Sequence, residues 1–364
     1  MGSKEYKKDP GAVACRSGPV ADQSAGVCYI NDDQPGCSRR PCGRGFTYFD
    51  EKGERIRDRA ARRRIKKMVI PPAWTEVWIS PLANGHIQAV GRDAKGRKQY
   101  IYHPDWIRER QQSKFSRLID FGTALGRIRR QVDRDLRRRN LDLERVSAIA
   151  VALLDSARIR VGNREYRRQN RSYGLTTLQN RHVEVSGATI QIEFRGKSGK
   201  PQKIGIYDRR LARQVLRCQD LPGQELFQYL DDEGRRRPLL SEDVNTYLRH
   251  VAGDTFTAKD LRTWWGTVLM AEELAAAGDN GQQGGSKRQT AAAVRAVAAA
   301  LGNTAAVCRQ YYIHPDVIAA HESGRLPVFL KGKRRGERKT GSIGLSPIER
   351  DVLRLLKGQS EKPA

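Results

Sequence analysis

"HVEVSGATIQIEFRGKSGKPQKIGIY", residues 182–207, decides the fold class. Apolar side chains fall on every second position: Val183 and Val185, then Ile190, Ile192 and Phe194, then Ile204 and Ile206. "SG" and "GKSGK" punctuate the alternation. Period two broken by Gly and Ser turns reads as three antiparallel strands. On either side the apolar period becomes three and four, the mark of helices. "WIRERQQSKFSRLIDFGTALGRIRRQVDRDLRRRN" (106–140) has this pattern amid many arginines. "LERVSAIAVALLDSARIRVGN" (143–163) reads as a buried helix that ends at Gly162, a residue suited to the C′ position. Helical character returns after 207 and runs to about residue 322. A small sheet therefore sits inside a mainly α-helical region spanning 106–322.

The region 29–105 reads differently. "VIPPAWTEVWIS" (69–80) carries Pro71-Pro72 and then an alternating Val77 and Ile79. "HIQAVGRDAKGRKQYIYHP" (86–104) reads as strand, turn, strand, with Tyr100 and Tyr102 on one face. This is a small β-rich domain, and the chain as a whole is α+β. Residues 1–28 are Gly-, Ser-, Ala-, Asp- and Lys-rich without periodicity and read as a disordered arm. Residues 323–364 form a tail with a basic stretch, "KGKRRGERK", followed by one short helix. Ser346 and Glu349 make a capping box around Pro347, and Ile348, Val352, Leu355 and Leu356 form a stripe that should dock on the body or on a partner.

The 364 residues hold 68 Lys+Arg and 41 Asp+Glu, a net charge of +27. Such a chain calls for a polyanion, and nucleic acid stands ahead of an anionic membrane surface. No run of about 18 apolar residues suggests a membrane-spanning helix, and no N-terminal h-region suggests a secretory signal. Tyr6 breaks the myristoylation pattern. Six cysteines are too few for a disulfide scaffold and fit a reducing cytoplasm. Cys15, Cys28, Cys37 and Cys42 cluster, but only Cys37 and Cys42 are spaced as a ligand pair and there is no C-x-x-C. Free thiols are expected rather than zinc. "GDNGQQGG" (278–285) is no Walker loop, because Lys287 follows Ser286 and a helix-like segment precedes it.

A phosphodiester can be cut without metal if arginines neutralise its oxygens, a nucleophile lies in line and a lysine protonates the leaving oxygen. The chain has neither H-E-x-x-H nor a clustered acidic ladder for Mg²⁺. Four stretches suit the metal-free design: "RIRVGNREY" (158–166), "EFRGKSGK" (193–200), "AKDLRTWWGT" (258–267) and "LGNTAAVCRQYYIHP" (301–315). Each alone has a plain structural explanation. In this order and spacing, and with "GRDAKGRKQYIY" (91–102), they resemble the type IB DNA topoisomerases of the poxvirus-like and bacterial branch, over about residues 29–322.

That resemblance implies a relaxation of supercoiled duplex DNA through a 3′-phosphotyrosyl intermediate, without ATP, metal or other cofactor. It implies Arg160 and Arg262 on the scissile phosphate and Lys197 as general acid, with Lys200 the alternative. Asn303 stands where many relatives carry His, so it is expected to donate a hydrogen bond and not to act as a base. The nucleophile falls nine residues beyond it, at Tyr312, with Tyr311 as a packing partner. Gln99, Tyr100, Tyr102, Tyr166 and Lys259 are the expected DNA contacts; packing of the sheet is the other reading for Tyr100 and Tyr102. A monomeric C-shaped clamp on duplex DNA is implied, hinged near 103–112, in the cytoplasm at the nucleoid. The rivals are a tyrosine recombinase, which shares the chemistry, and a basic DNA-binding protein with none. An RNA-binding role lacks an RNP-like aromatic strand.

Overall fold

A computed structural model of the protein describes residues 26–253, 255–277, 283–326, 330 and 343–360. Most of the arm read over 1–28, residues 278–282 of the Gly-rich break and the basic stretch 331–339 lie outside the described residues. The chain divides into two units, Met1–Lys114 and Phe115–Ala364.

The first unit is a five-stranded antiparallel sheet in the order β2-β1-β3-β4-β5. Its strands are β1 Cys37–Cys42, β2 Gly45–Phe49, β3 Thr75–Ile79, β4 Ile87–Arg92 and β5 Lys98–Tyr102. Val77, Ile79 and Ala89 bury one face with Ile101 against it. Helix α1, Arg59–Lys67, covers that face through a single buried residue, Ile65. An Arg-rich helix with one large apolar residue has no stripe to announce it, which is why the β-rich reading of this region missed it. Asp58 starts it by accepting from the Ala61 N–H at 2.7 Å. On the opposite face Tyr100 and Tyr102 stack at 5.9 Å.

The stretch 103–112, expected as a linker, is helical: it forms the first turns of α2, Pro104–Asp135. In the second unit follow α3 Leu143–Ala157, α4 Arg164–Asn170, β6 Val183–Ser186, β7 Thr189–Arg195, β8 Pro201–Tyr207, α5 Arg209–Gln219, α6 Ser241–Ala252, α7 Ala258–Ala277, α8 Gln283–Ala300, α9 Ala305–Tyr311, α10 Pro315–Glu322 and α11 Pro347–Ser360. The three central strands pair in the expected order, with Val183 opposite Ile192, and Ile190 opposite both Val185 and Ile206. A second hairpin, β9 Gln228–Leu230 with β10 Arg236–Pro238, interrupts what the sequence reading took as purely helical.

Helix α3 does not reach Gly162. It ends at Ala157, and Arg158 takes the left-handed cap at φ 59°. The next residues, Arg160 to Gly162, run extended beside Gly174–Thr176: the Leu175 N–H donates to the Arg160 carbonyl at 2.8 Å and the Thr176 N–H to that of Val161 at 2.7 Å. Glycine is required in this crossing. A Cβ on Gly174 would lie 2.5 Å from the Gly162 Cα, and Gly162 itself sits at φ 102°.

The tail helix docks on the body. Val352, Leu355 and Leu356 are wholly buried in the second unit's core. Its capping box forms as read: the Ser346 N–H donates to Glu349 Oε2 at 2.7 Å and the Glu349 N–H to Ser346 Oγ at 3.4 Å. Among the described residues no single helix is long and apolar enough to cross a membrane; the bent α8–α9 pair comes nearest and buries Val294, Val297, Leu301 and Cys308 in this core.

Candidate active site

The 158–162 segment, α7 and the turn before α9 meet in one place. Arg262 lies on the buried first turns of α7 and is 5% exposed. Its Nη1 donates to the Arg158 carbonyl and its Nη2 to the Leu301 carbonyl at 2.7 Å. Its guanidinium carbon stands 5.4 Å from the centre of the Tyr312 ring. Arg160 Nη2 donates to Asn303 Oδ1, and to the Gly302 carbonyl at 3.3 Å. Burial, and then the Arg160 charge, hold Arg262 down to about 10 despite Tyr312 pulling the other way, so it remains a cation at neutral pH. Burial also lowers Arg160, again opposed by Tyr312. Arg262 Nε and Asn303 Nδ2 are buried donors with no partner. Two cations and two spare N–H groups beside one phenol make a receptor for an anion.

Tyr312 owes its place to Gly266. It caps α9, its N–H donating to the Cys308 carbonyl at 2.9 Å, and its backbone rests on α7. A Cβ on Gly266 would fall 3.0 Å from the Tyr312 carbonyl carbon and 3.1 Å from its Cβ. One residue on, Thr267 Oγ1 accepts from the His314 N–H at 3.1 Å. Sequence reasoning used "WWGT" as a family mark and missed this role. Tyr311 is the last helical residue of α9 and is 38% exposed, against the half-buried Tyr312.

Lys197 and Lys200 lie exposed in the turn between β7 and β8, closed by a Gly196 N–H to Lys200 carbonyl bond of 2.8 Å. That hairpin borders the site, since Gln202 of β8 lays its amide against Gly302, 3.1 Å from where a Cβ would be. Lys259 is exposed one turn before Arg262 on α7. Tyr166 is 53% exposed on α4, which Asn163 caps. Glu225 holds that helix by pairing with both Arg164 and Arg167 at 2.7 Å, a role the sequence did not signal. Tyr100 and Tyr102 stand on the exposed face of β5. Gln99 does not join them: strand alternation turns it to the other face, where its Nε2 donates to Asp93 Oδ2 at 3.0 Å.

Among the described residues no three His, Cys, Asp or Glu side chains gather as metal ligands. Cys37 and Cys42 are free thiols, whereas Cys28 is disulfide-bonded, which corrects the expectation of free thiols there.

Comparison with known proteins gives the same outline. Residues 96–324 match the family model described as the catalytic core of eukaryotic DNA topoisomerase I, and residues 45–93 match that of the bacterial DNA topoisomerase IB N-terminal domain. DNA topoisomerase 1B of Acanthamoeba polyphaga mimivirus is 32% identical over 275 residues, 74% of this chain and 81% of the viral protein. DNA topoisomerase 1B of vaccinia virus strain Copenhagen is 27% identical over 139 residues, 38% of this chain and 44% of the relative. Among solved structures, a XerH site-specific recombinase bound to DNA covers 55% of this chain and 50% of its own at 15% identity and a TM-score of 0.36, too slight a likeness to build on. The chain belongs to the type IB DNA topoisomerases, enzymes whose partner is duplex DNA.

Proposed function

We propose that the enzyme relaxes supercoiled DNA by cutting and resealing one strand through Tyr312, with neither ATP nor a divalent metal. The observation that carries this is the convergence of Arg160, Arg262 and Asn303 around Tyr312 with Asn303 Nδ2 and Arg262 Nε unpartnered.

The scissile phosphate is bound by the two guanidiniums and the Asn303 amide, which neutralise its non-bridging oxygens as charge builds on them. Tyr312 Oη gives up its proton to solvent water, an ionisation that the two guanidiniums favour, and attacks phosphorus. The P–Oη bond forms, the P–O5′ bond breaks, and the strand is left with a 3′-phosphotyrosyl end. The departing 5′ oxygen is a strong base, and Lys197 supplies its proton from the bordering hairpin. The ester preserves the energy of the broken bond, so no nucleotide hydrolysis is needed. After the free end has swivelled, Lys197 takes the proton back as the 5′-hydroxyl attacks phosphorus, the P–Oη bond breaks, and Tyr312 Oη regains a proton from solvent. Asn303 has no proton to exchange at neutral pH; its Nδ2 serves the phosphate as a hydrogen-bond donor while its Oδ1 accepts from Arg160. Tyr166 and Lys259, exposed beside the two arginine segments, contact the flanking backbone. Tyr100 and Tyr102 present their stacked rings to DNA.

The test is relaxation of supercoiled plasmid in excess EDTA without ATP, comparing the native protein with Tyr312→Phe. The native protein should relax the plasmid while the variant only binds it. Relaxation by the variant would move the nucleophile to Tyr311.

A further inference from the structure

We infer that Glu349, on the tail helix, is a positioning residue for DNA cleavage that acts through Arg262 and Arg160. The inference rests on the mechanism proposed above and adds a part of the molecule remote from the phosphate.

The link is a buried charge network. Arg129 of α2 is 6% exposed and is gripped from two sides. Its Nε donates to Asp155 Oδ2 at 2.9 Å, and its Nη1 and Nη2 donate to Glu349 Oε2 and Oε1 at 2.9 and 2.7 Å. Two carboxylates on one guanidinium leave an excess negative charge in the core, and burial of such groups needs further donors. Both indoles of α7 provide them. Trp264 Nε1 donates to Glu349 Oε1 at 3.2 Å and Trp265 Nε1 to Asp155 Oδ1 at 3.0 Å. Burial opposes the charge on Glu349, yet the Arg129 bond holds its carboxyl below the usual range, so it stays ionised at neutral pH.

These two tryptophans lie between Arg262 and Gly266 on the same helix. Their tethers set the rotation of α7, and so where Arg262 stands and where Tyr312 rests. A second link reaches Arg160. Trp265 stacks under the Arg158 guanidinium at 4.4 Å, and the Arg158 carbonyl accepts from Arg262. Arg158 is the left-handed cap from which the segment bearing Arg160 departs. Glu349, Arg129, Asp155 and the two indoles thus form one continuous polar frame behind both arginines, and Glu349 enters it from the tail, beyond Tyr312.

The experiment is a double-mutant cycle on single-turnover formation of the covalent protein–DNA adduct, at saturating duplex, with DNA Kd and Tm recorded for each protein. Glu349→Gln, which keeps an acceptor for Trp264 but removes the charge, should slow adduct formation roughly tenfold or more, as small misplacements of catalytic groups do. Its Kd should stay within about twofold and its Tm above the assay temperature. In an Arg262→Ala background the same change should slow the reaction less than about twofold, because the route of its action is gone. Equal slowing in both backgrounds, or a lowered Tm with a native rate, would overturn the inference. If Glu349→Gln fails to fold, Trp264→Phe removes one tether and should show the same non-additivity. The cycle is independent of the nucleophile's identity: adduct formation by Tyr312→Phe would refute that assignment and leave Glu349 to be judged on its own numbers.

Discussion

Replacing Gly266 by Ala puts one methyl group between α7 and Tyr312, the proposed nucleophile. Ordinary van der Waals contact begins near 3.4 Å, and the new Cβ would stand 3.0 Å from the Tyr312 carbonyl carbon, with the carbonyl oxygen nearer still. The carbon must retreat by 0.4 Å and the oxygen by more, so Tyr312 is displaced by roughly half to one ångström. Neither side can yield cheaply, since α7 is buried along its first 14 residues except at Lys259 and the obstacle is backbone. Overpacking of this kind costs about 1–3 kcal/mol of stability. A shift near an ångström at a reacting group costs up to about 100-fold in rate. Gly266→Ala should therefore stay folded with a lowered Tm, bind duplex DNA with native affinity, and form the covalent adduct about 10- to 100-fold more slowly. Single-turnover adduct formation at saturating DNA is the assay. A native rate with a lowered Tm would show that Tyr312 does not depend on α7 for its position, and would undo the argument that Gly266 serves the reaction.

Three further outcomes are expected. Asn303→Ala removes the donor at the phosphate and the acceptor of Arg160, and should lower the cleavage rate about 100-fold or more with little change in DNA affinity; a loss under about threefold excludes Asn303 from charge stabilisation. His314 is buried, which lowers its pKa below 6.5 although Asp316 opposes this, and its Nδ1 accepts from the Asp316 N–H at 3.2 Å. A depressed folded pKa means that the unfolded chain binds the proton more readily, so this contribution is fully present above about pH 6.5 and is lost as pH falls from there. Denaturation followed from pH 8 to 5 should show a decline that His314→Asn reduces; an identical decline in the variant refutes the assignment. Leu356→Ala should destabilise the second unit by about 2–5 kcal/mol in urea unfolding, whereas a change under 0.5 kcal/mol would mean that the tail helix is not part of its core.

What the sequence revealed was local. The three central strands follow from strict alternation at Ile190, Ile192 and Phe194, and the three segments that meet at the site, like the Lys197 hairpin that borders it, are each continuous runs of fewer than 16 residues. What stayed hidden needed partners far along the chain. The end of α3 was misjudged because Gly162 is the better intrinsic cap; Arg158 takes the left-handed turn because Trp265 and Arg262, over 100 positions away, hold its side chain and carbonyl. The pairing of Arg129 with Asp155 and Glu349 spans 26 and 220 positions and leaves no pattern to read. The strands Gln228–Leu230 and Arg236–Pro238 are three residues each and mostly polar, too short for a period to show, although "DDEG" between them was a turn signal. Gln99 was grouped with Tyr100 and Tyr102 by family resemblance, and the pleat of β5 turns its side chain to the face opposite theirs.

The tail helix also has a meaning in time. Translation runs from the N-terminus, so the ribosome delivers Arg160, Lys197, Arg262, Asn303 and Tyr312 before it delivers Glu349. Until residues past 342 are made, Arg129 lacks Glu349 and the Trp264 indole lacks that carboxylate. A released chain stopped before residue 343 would carry Arg160, Arg262 and the Tyr312 phenol, yet on the inference above would lack the last support of the helix that aligns them. If Glu349 positions the site as inferred, the order of synthesis works as a safety catch: a prematurely stopped polypeptide settles on DNA without being well placed to nick it.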